Sequence, residues 1–530
     1  MHSLENHTSI KDAASVERWQ RNDTLFVVLA GLGTVLSRVP FQATLLSNHD
    51  AINYALALDH FDMRLHQPHP PGYLLYTLLG RGLNLIFHDH LTALVWFSMI
   101  FSGLAVVALY LVGREMFSRR VGAIAALSLA ASPTFWMLGE ISTPYTADLF
   151  ASAMAGWLCY RMLNTSERAT VYAAALGVGL AGAFRMQTMI FTFPLFLYAL
   201  HRRPWKTIVG AVVLAGGVFG LFFIPAVVIS GGLWTFVRSM RVTVPIFWSK
   251  KTTVSSAKAS RYVKNAETIL RYNFRVMGEL LMPLALLGYV TRANRVLFWR
   301  NPKLRFLVIW IVPTWIVYLL IWPGNLGTIL VCMAPPFVLA ALGLDWIIQR
   351  PRYEYAMGWA LCLGILAWGV AAFTILPQQP FGKRYRYFDN RISITSTNAY
   401  HRAKLDLVSE LPVEGTIVYA NAFRHLQYYL PAYRAFSFPL LRRSDPSVVK
   451  SAVSLENGNM ETWTNIATTS LVPPDTERIV FLDLPLDLAL VDHALVQERE
   501  KNGQTIYIIS LPPGQQAQWT LDGLTLVNYE

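Results

Sequence analysis

The chain is written in long apolar stretches separated by short polar ones, and that rhythm sets the first expectation. Runs long enough to cross a bilayer, which takes about 20 mostly apolar residues, occur near 24–46, 91–113, 121–138, 145–163, 206–230, 275–291, 304–322, 327–348 and 355–376. The stretch 168–200 is apolar but is interrupted by Gly182, Arg185, Gln187 and Pro194, which predicts two short helices meeting near Arg185. Together these give an expectation of about eleven spans. After residue 377 the pattern changes. Short alternating runs such as TIVYA (416–420), RIVFLDL (478–484) and QTIYIISL (504–511) are bounded by Pro, Gly or charge, the signature of strands, and LQYYL (426–430) between two of them predicts a short helix. The expected fold class is an α-helical polytopic membrane protein with a small C-terminal α/β domain. The boundaries are a tail at 1–23, a membrane domain at 24–376 with an outer loop at 47–90, and the C-terminal domain at 377–530.

Composition agrees. Only 15% of residues are charged and 54% are apolar, against about 25% charged in an ordinary soluble domain. That excludes a soluble enzyme, a disordered chain and a small disulfide scaffold. Cys159, Cys332 and Cys362 all sit inside apolar runs, so they read as small buried hydrophobes. The first 23 residues are polar and the following run lacks a cleavage pattern, which predicts a retained signal anchor.

Charge orients the map. Lys11, Arg18 and Arg21, REMFSRR after the second span, Arg161 and Arg168, HRRPWK (201–206), RANRVLFWRNPKLR (292–305) and QRPRY (349–353) all fall on one side, the cytoplasmic one by the positive-inside bias. The opposite side receives 47–90, 139–144, 231–274 and everything after about 377. The net charge is +13, from 45 Lys and Arg against 32 Asp and Glu. A basic balance first raises nucleic acid or an anionic membrane as partner. Most of the surplus is ordinary cytoplasmic loop charge, which leaves no call for nucleic acid. The exception is 231–274, where Arg238, Arg241, Lys250, Lys251, Lys258, Arg261, Lys264 and Arg271 face one acid, Glu267. Cations gathered beside a bilayer on the outer side suit an anionic lipid headgroup.

The first outer loop carries the densest chemistry. Residues 51–64 have apolar positions at helical spacing but are too short and polar to span, which predicts a helix lying along the membrane surface. Asp50 stands at its start, where it can cap the helix and face the boundary between membrane and water. HQPHPPGY (66–73) then forces an extended turn, and a second surface helix is expected over 73–87.

This arrangement resembles the GT-C class of membrane glycosyltransferases, in particular its bacterial branch related to protein O-mannosyltransferases and aminoarabinose transferases. The resemblance rests on Asp50, the helix after it and Pro70-Pro71-Gly72-Tyr73. It extends to GEISTPYTADLF (139–150), GAFRMQT (182–188) and PGNLGTILVCMAPP (323–336). It implies an inverting transfer of sugar from a polyprenyl-phosphate carrier to a glycan, lipid or protein acceptor at the outer face. A bacterial inner membrane is the expected location, and no metal or other cofactor is expected. Asp50 would be the general base, taking the proton of an acceptor hydroxyl as it attacks. Glu140 and Asp148, acids at the outer boundary, and His66, His69 and Tyr73 would contact substrate. A His and Asp metal cluster around His49, His60, His66 and His69 is the alternative for the histidines. Arg185, an arginine inside an apolar stretch, together with Lys250, Lys251 and Arg261, would hold the donor phosphate. The competing function is a polytopic transporter or flippase, which would place charged, broken helices near the bilayer midplane and show repeat symmetry.

Overall fold

The computed structural model describes residues 19–237, 259–292, 301–349, 352–380, 382, 386–420, 422–436, 470–482, 496–520 and 523–528. The expected Lys250 and Lys251 lie outside the described residues.

The membrane part is a helical bundle. α1 (Arg21–Arg38) exposes Leu25, Leu29, Leu32 and Leu36 along one face, as a lipid-facing helix does. Six helices, counted among the described residues, are long and apolar enough to cross a membrane, or seven if a bent pair is one span. They include α4 (His90–Met116), the most buried of the six, which packs against α1, α5 and α7. The sequence count of about eleven therefore includes helices that are shorter or broken. The run at 121–138 is split at Ser132, between α5 (Arg119–Ala130) and α6 (Pro133–Leu138). The run at 168–200 is two short helices, α8 (Arg168–Phe184) and α9 (Met186–Leu200), which break at Arg185 as the sequence predicts. Between α6 and α8 runs α7 (Tyr145–Asn164), and α10 (Trp205–Ile229) follows.

The stretch expected as an outer loop up to 274 is helical from residue 259. A single element, α11 (Ala259–Arg292), is interrupted only at Gly278, whose φ of 76° is open to glycine at little cost. α12 (Pro302–Leu320) leads into a 3₁₀ turn, Leu326–Cys332, and then α13 (Ala334–Ile348), bent from that turn by 66°. α11 and α13 approach very closely. A Cβ on Gly288 would lie 1.9 Å from the Leu339 carbonyl oxygen and one on Gly343 2.2 Å from that of Leu284, so the small residues set the separation. α14 (Arg352–Thr374) completes the bundle.

The C-terminal residues form α15 (Arg391–Ser409), α16 (Phe423–Tyr429) and two sheets. The first sheet has the order β2-β1-β4-β6-β5, built from β1 (Thr416–Tyr419), β2 (Arg434–Phe436), β4 (Arg478–Phe481), β5 (Val496–Lys501) and β6 (Gln504–Ser510). β1 is parallel to β2 and β4, while β6 is antiparallel to β4 and β5. The second sheet joins β3 (Ser470–Leu471), β7 (Gln515–Thr520) and β8 (Gly523–Asn528). The three strand-like runs of the sequence correspond to β1, β4 and β6. α15 carries Ile394, His401, Leu405 and Val408 on its buried side, and Leu405 and Val408 pack with Val418 and Ile508 of the sheet.

Candidate active site

α2 (His49–Asp59) is the element that holds Asp50. Its cap is Asn48, whose side chain accepts from the Ala51 N–H at 2.9 Å, and not Asp50 as the sequence suggested. Both residues are capping types, and the one earlier in the chain takes the role. That leaves the Asp50 carboxylate on the first helical turn, free to face outward. The far end of α2 is fixed by Arg81 on α3 (Leu74–Phe87). Its guanidinium donates to the carbonyls of Leu58 at 2.6 Å and Ala57 at 3.0 Å, groups a helix end otherwise leaves orphaned. Ala51, Ile52, Tyr54, Ala55 and Leu58 bury the inner face.

The turn after α2 folds back on itself. Asp62 and Gln67 exchange backbone hydrogen bonds at 2.7 and 3.0 Å, and the Gln67–Pro68 and Pro70–Pro71 bonds are cis. The fold-back returns His69 to Asp50: Nδ1 lies 3.6 Å from Oδ1, and the other ring nitrogen is 3.0 Å from the Tyr73 hydroxyl. Tyr54 packs edge-on against Tyr73 at 5.4 Å, closing the inner side. His69 is held below the ordinary imidazole range chiefly by burial, against the pull of Asp50. His49 is pushed down to about 4 and His66 to about 3, again first by burial, with the Arg424 guanidinium adding to both. No group of three or more metal-ligating side chains exists among the described residues.

Asp50 lines a cavity of about 500 Å³. Its walls come from residues 43–50, the turn at 137–145, the turn at 325–327, α11 and the C-terminal residues. Two arginines not foreseen from the sequence stand in it. Arg275 of α11 pairs with Asp389, and the Arg386 Nε lies 3.2 Å from the same carboxylate. Two guanidinium groups sharing the Asp389 carboxylate leave that cluster with a net positive charge, across the same cavity from the Asp50 carboxylate. Asn398, Thr397 and Asn325 add amides and a hydroxyl. The signal for Arg275 in the sequence is its place directly after the basic stretch 231–274.

The other expected residues are distributed unevenly. Glu140 is fully buried behind the cavity wall, with Oε1 accepting from the Trp136 indole N–H at 2.7 Å. Burial pushes it upward, while Arg38 and the Trp136 hydrogen bond pull the other way. It is not among the lining residues, so a direct hold on substrate is not what its position offers. Asp148 and Arg185 are paired with each other: Nη1 donates to Oδ2 at 2.7 Å, and Thr188 donates to Oδ1 at 2.9 Å. Arg185 lies 5.5 Å from the centre of the Tyr145 ring, and Tyr145 lines the cavity, so the pair sits one layer behind the wall. His66 is the left-handed residue closing a 3₁₀ turn, at φ 54°. Arg261 lies on the first turn of α11 and is not among the lining residues.

The C-terminal residues are seated on this loop by α16. The Leu46 N–H donates to the Tyr429 hydroxyl at 2.9 Å, the Leu46 carbonyl lies 2.8 Å from His425 Nε2, and Arg424 donates to the Leu65 carbonyl at 2.7 Å. Each such bond is worth about 1 kcal/mol net, and together they hold both ends of the Asp50 loop.

Residues 68–229 match the family model described as dolichyl-phosphate-mannose-protein mannosyltransferase. Among solved structures, ArnT from Cupriavidus metallidurans in the apo state is similar, with a TM-score of 0.52 and 13% identity over 92% of this chain and 97% of that one. The same protein bound to undecaprenyl phosphate gives 0.50 and 12% over 92% and 98%. The Archaeoglobus fulgidus oligosaccharyltransferase in the apo form gives 0.46 and 15% over 78% of this chain, which spans 64% of that longer protein. Among curated proteins none matches in sequence.

Proposed function

We propose that the chain is a membrane glycosyltransferase of the GT-C type, as the match of residues 68–229 to the mannosyltransferase family model supports, and that it transfers a sugar from a polyprenyl-phosphate carrier to an acceptor hydroxyl with inversion at the anomeric carbon. The observation that carries the reading is Asp50. Its carboxylate is 39% exposed, opens into the cavity that also holds Arg275 and Arg386, and is backed by His69.

The proposed chemistry uses those groups in order. An acceptor hydroxyl enters within hydrogen-bond reach of Asp50. As its oxygen attacks the anomeric carbon, the O–H proton passes to the carboxylate. The bond from the anomeric carbon to the phosphate oxygen breaks, and its electron pair leaves with the polyprenyl phosphate. The growing phosphate charge is met by Arg275 and Arg386, fixed in place by Asp389, so little reorganisation is needed when charge develops. His69, anchored by Tyr73, stands beside the carboxylate with Nδ1 3.6 Å from Oδ1. Lys250, Lys251 and Arg261 would gather the anionic carrier at the bilayer surface. Arg185, with Asp148, would act on the donor phosphate only from behind Tyr145. The distribution of Lys and Arg supports an outer-face site with the C-terminal domain extracytoplasmic; the bacterial inner membrane is proposed from the resemblance to the bacterial branch alone.

The test is purified full-length protein incubated with a radiolabelled polyprenyl-phosphate sugar and a membrane extract as acceptor source. Release of polyprenyl phosphate in step with labelled product, with the opposite anomeric configuration, is expected. Product that keeps the donor's configuration would sink the single-displacement mechanism, and label crossing the bilayer without bond cleavage would favour a flippase.

A further inference from the structure

We propose that the acceptor is a sugar, and that Thr397 and Asn398 of α15 recognise its hydroxyls beside Asp50; this deepens the transferase reading and rests on it. Ser393, Ile394, Thr397 and Asn398 line the cavity that Asp50 lines, a spacing that puts all four on one face of the helix. The two ends of that face meet different chemistry. At one end the Ser393 hydroxyl accepts from Arg386, whose guanidinium is paired with Asp389. At the other end, one turn beyond Thr397 and Asn398, His401 shares the lining of an adjoining cavity with Ser47, Asn48 and His49, the residues that lead into Asp50. The rise along α15 from Ser393 to Asn398 is about 7.5 Å. A leaving phosphate at the arginines and an acceptor at Asp50 would occupy opposite ends of this face, with Thr397 and Asn398 at the acceptor's end.

The groups at that end call for a partner that carries O–H donors. Asn398 Oδ1 is buried and has no hydrogen-bond partner, and a buried carbonyl oxygen left unpaired is a cost that a bound donor removes. The Thr397 hydroxyl donates to the Ser393 carbonyl at 2.8 Å, so its lone pairs remain to accept. Ser47 Oγ accepts from Asn48 Nδ2 at 3.4 Å and keeps its own O–H to donate.

A sugar hydroxyl is donor and acceptor at once, and neighbouring hydroxyls on one ring can meet all three groups together. A carboxylate or a fully ionised phosphate has no hydrogen to give to Asn398 or Thr397, and the Asp50 carboxylate repels it. The two arginines of the lining stand at the Ser393 end, where they serve the leaving group. A serine or threonine side chain of a peptide brings a single hydroxyl, which Asp50 itself would take up. Leu138, Ile141 and Ile394 line the same cavity, and an apolar wall with a few placed polar groups suits the C–H face of a pyranose ring.

The test offers methyl hexosides to the full-length protein with the labelled donor of the transfer assay, in a detergent without sugar groups. A serine-containing hexapeptide and phosphatidic acid are the rival acceptors. Labelled sugar is expected on a hexoside and on neither rival. Asn398→Leu should raise the hexoside KM by about tenfold and Thr397→Val by several-fold, with the donor KM held within about twofold. Asn398→Asp, which keeps an accepting oxygen, should raise the hexoside KM by less than about threefold. An unchanged hexoside KM in Asn398→Leu, a donor KM that rises in its place, or transfer to the peptide or the lipid phosphate as fast as to any hexoside would overturn the proposal. If Asn398→Leu does not fold, Thr397→Val decides by the same criteria. The two readings fail separately. Label passed to the membrane extract or to water but to no hexoside removes the sugar acceptor and keeps the transferase, whereas no release of polyprenyl phosphate with any acceptor removes both.

Discussion

The pair of Arg185 and Asp148 gives the sharpest quantitative expectation. The perturbation is Arg185→Met and Asp148→Asn, singly and together. The contact is 2.7 Å, and the two side chains are 11% and 1% exposed. At an effective dielectric near 20, unit charges at that distance attract by about 6 kcal/mol. Removing two ions from water costs several kcal/mol each, so the intact pair contributes little net stability. Breaking it is different, because the surviving ion has no water. Each single substitution should therefore cost about 3–5 kcal/mol. The double variant should fall short of the sum by at least ~2 kcal/mol. The assay is denaturant unfolding of the four proteins in mixed micelles, with donor KM measured on the same samples. A single Asp148→Asn cost below about 1 kcal/mol, or additive costs, would refute the structural reading of the pair. A raised KM in Arg185→Met with unchanged stability would return Arg185 to the donor phosphate.

Three further outcomes follow from particular contacts. A Cβ on Gly327 would stand 2.1 Å from Tyr145 Cδ2, so Gly327→Ala should displace that ring, cost about 1–3 kcal/mol in thermal unfolding and depress transfer; wild-type values for both would argue against Tyr145 as a fixed wall. Tyr73→Phe removes the hydroxyl 3.0 Å from His69 and should cost about 1 kcal/mol, with a fall in kcat under roughly tenfold; a loss as deep as that of Asp50→Asn would mean that the hydroxyl touches the reacting atoms. His49 and His66 are depressed from 6.5 to about 4 and about 3, so the unfolded chain binds more protons in acid. Their contribution is complete above 6.5, and is lost as pH falls toward those values. The wild-type melting temperature should thus drop more steeply between pH 6.5 and 4 than that of His49→Gln, and parallel curves would remove the effect.

Much of this was readable from single segments. The break at Arg185 was visible because Gly182, Gln187 and Pro194 crowd one apolar stretch. A turn at HQPHPPGY was visible because prolines limit the backbone to few conformations, but it was expected to be extended, and the fold-back that returns His69 to Asp50 depends on the Asp62–Gln67 backbone pairing. What needed the fold were contacts between segments far apart. Asp148 and Arg185 each looked like a buried charge seeking a partner, and nothing local said that the partner was the other, 37 residues away. Arg275, Arg386 and Asp389 come from α11 and the linker before α15, and meet at the cavity only because the C-terminal residues settle on the first outer loop. α15 itself escaped notice because its buried side mixes Ser393, His401 and Lys404 with apolar residues, so no clean apolar stripe at helical spacing stands out, although Asn390 caps it at Ile392 N–H.

The central claim is that the Asp50 carboxylate takes the acceptor proton. The direct measurement is the initial rate of sugar transfer from a radiolabelled polyprenyl-phosphate donor by purified Asp50→Asn protein, alongside the donor affinity of the same sample. A fall of about 10²–10⁴-fold in rate with donor affinity kept within threefold is the result this account requires. A rate within threefold of wild type would contradict it and move the base elsewhere in the cavity.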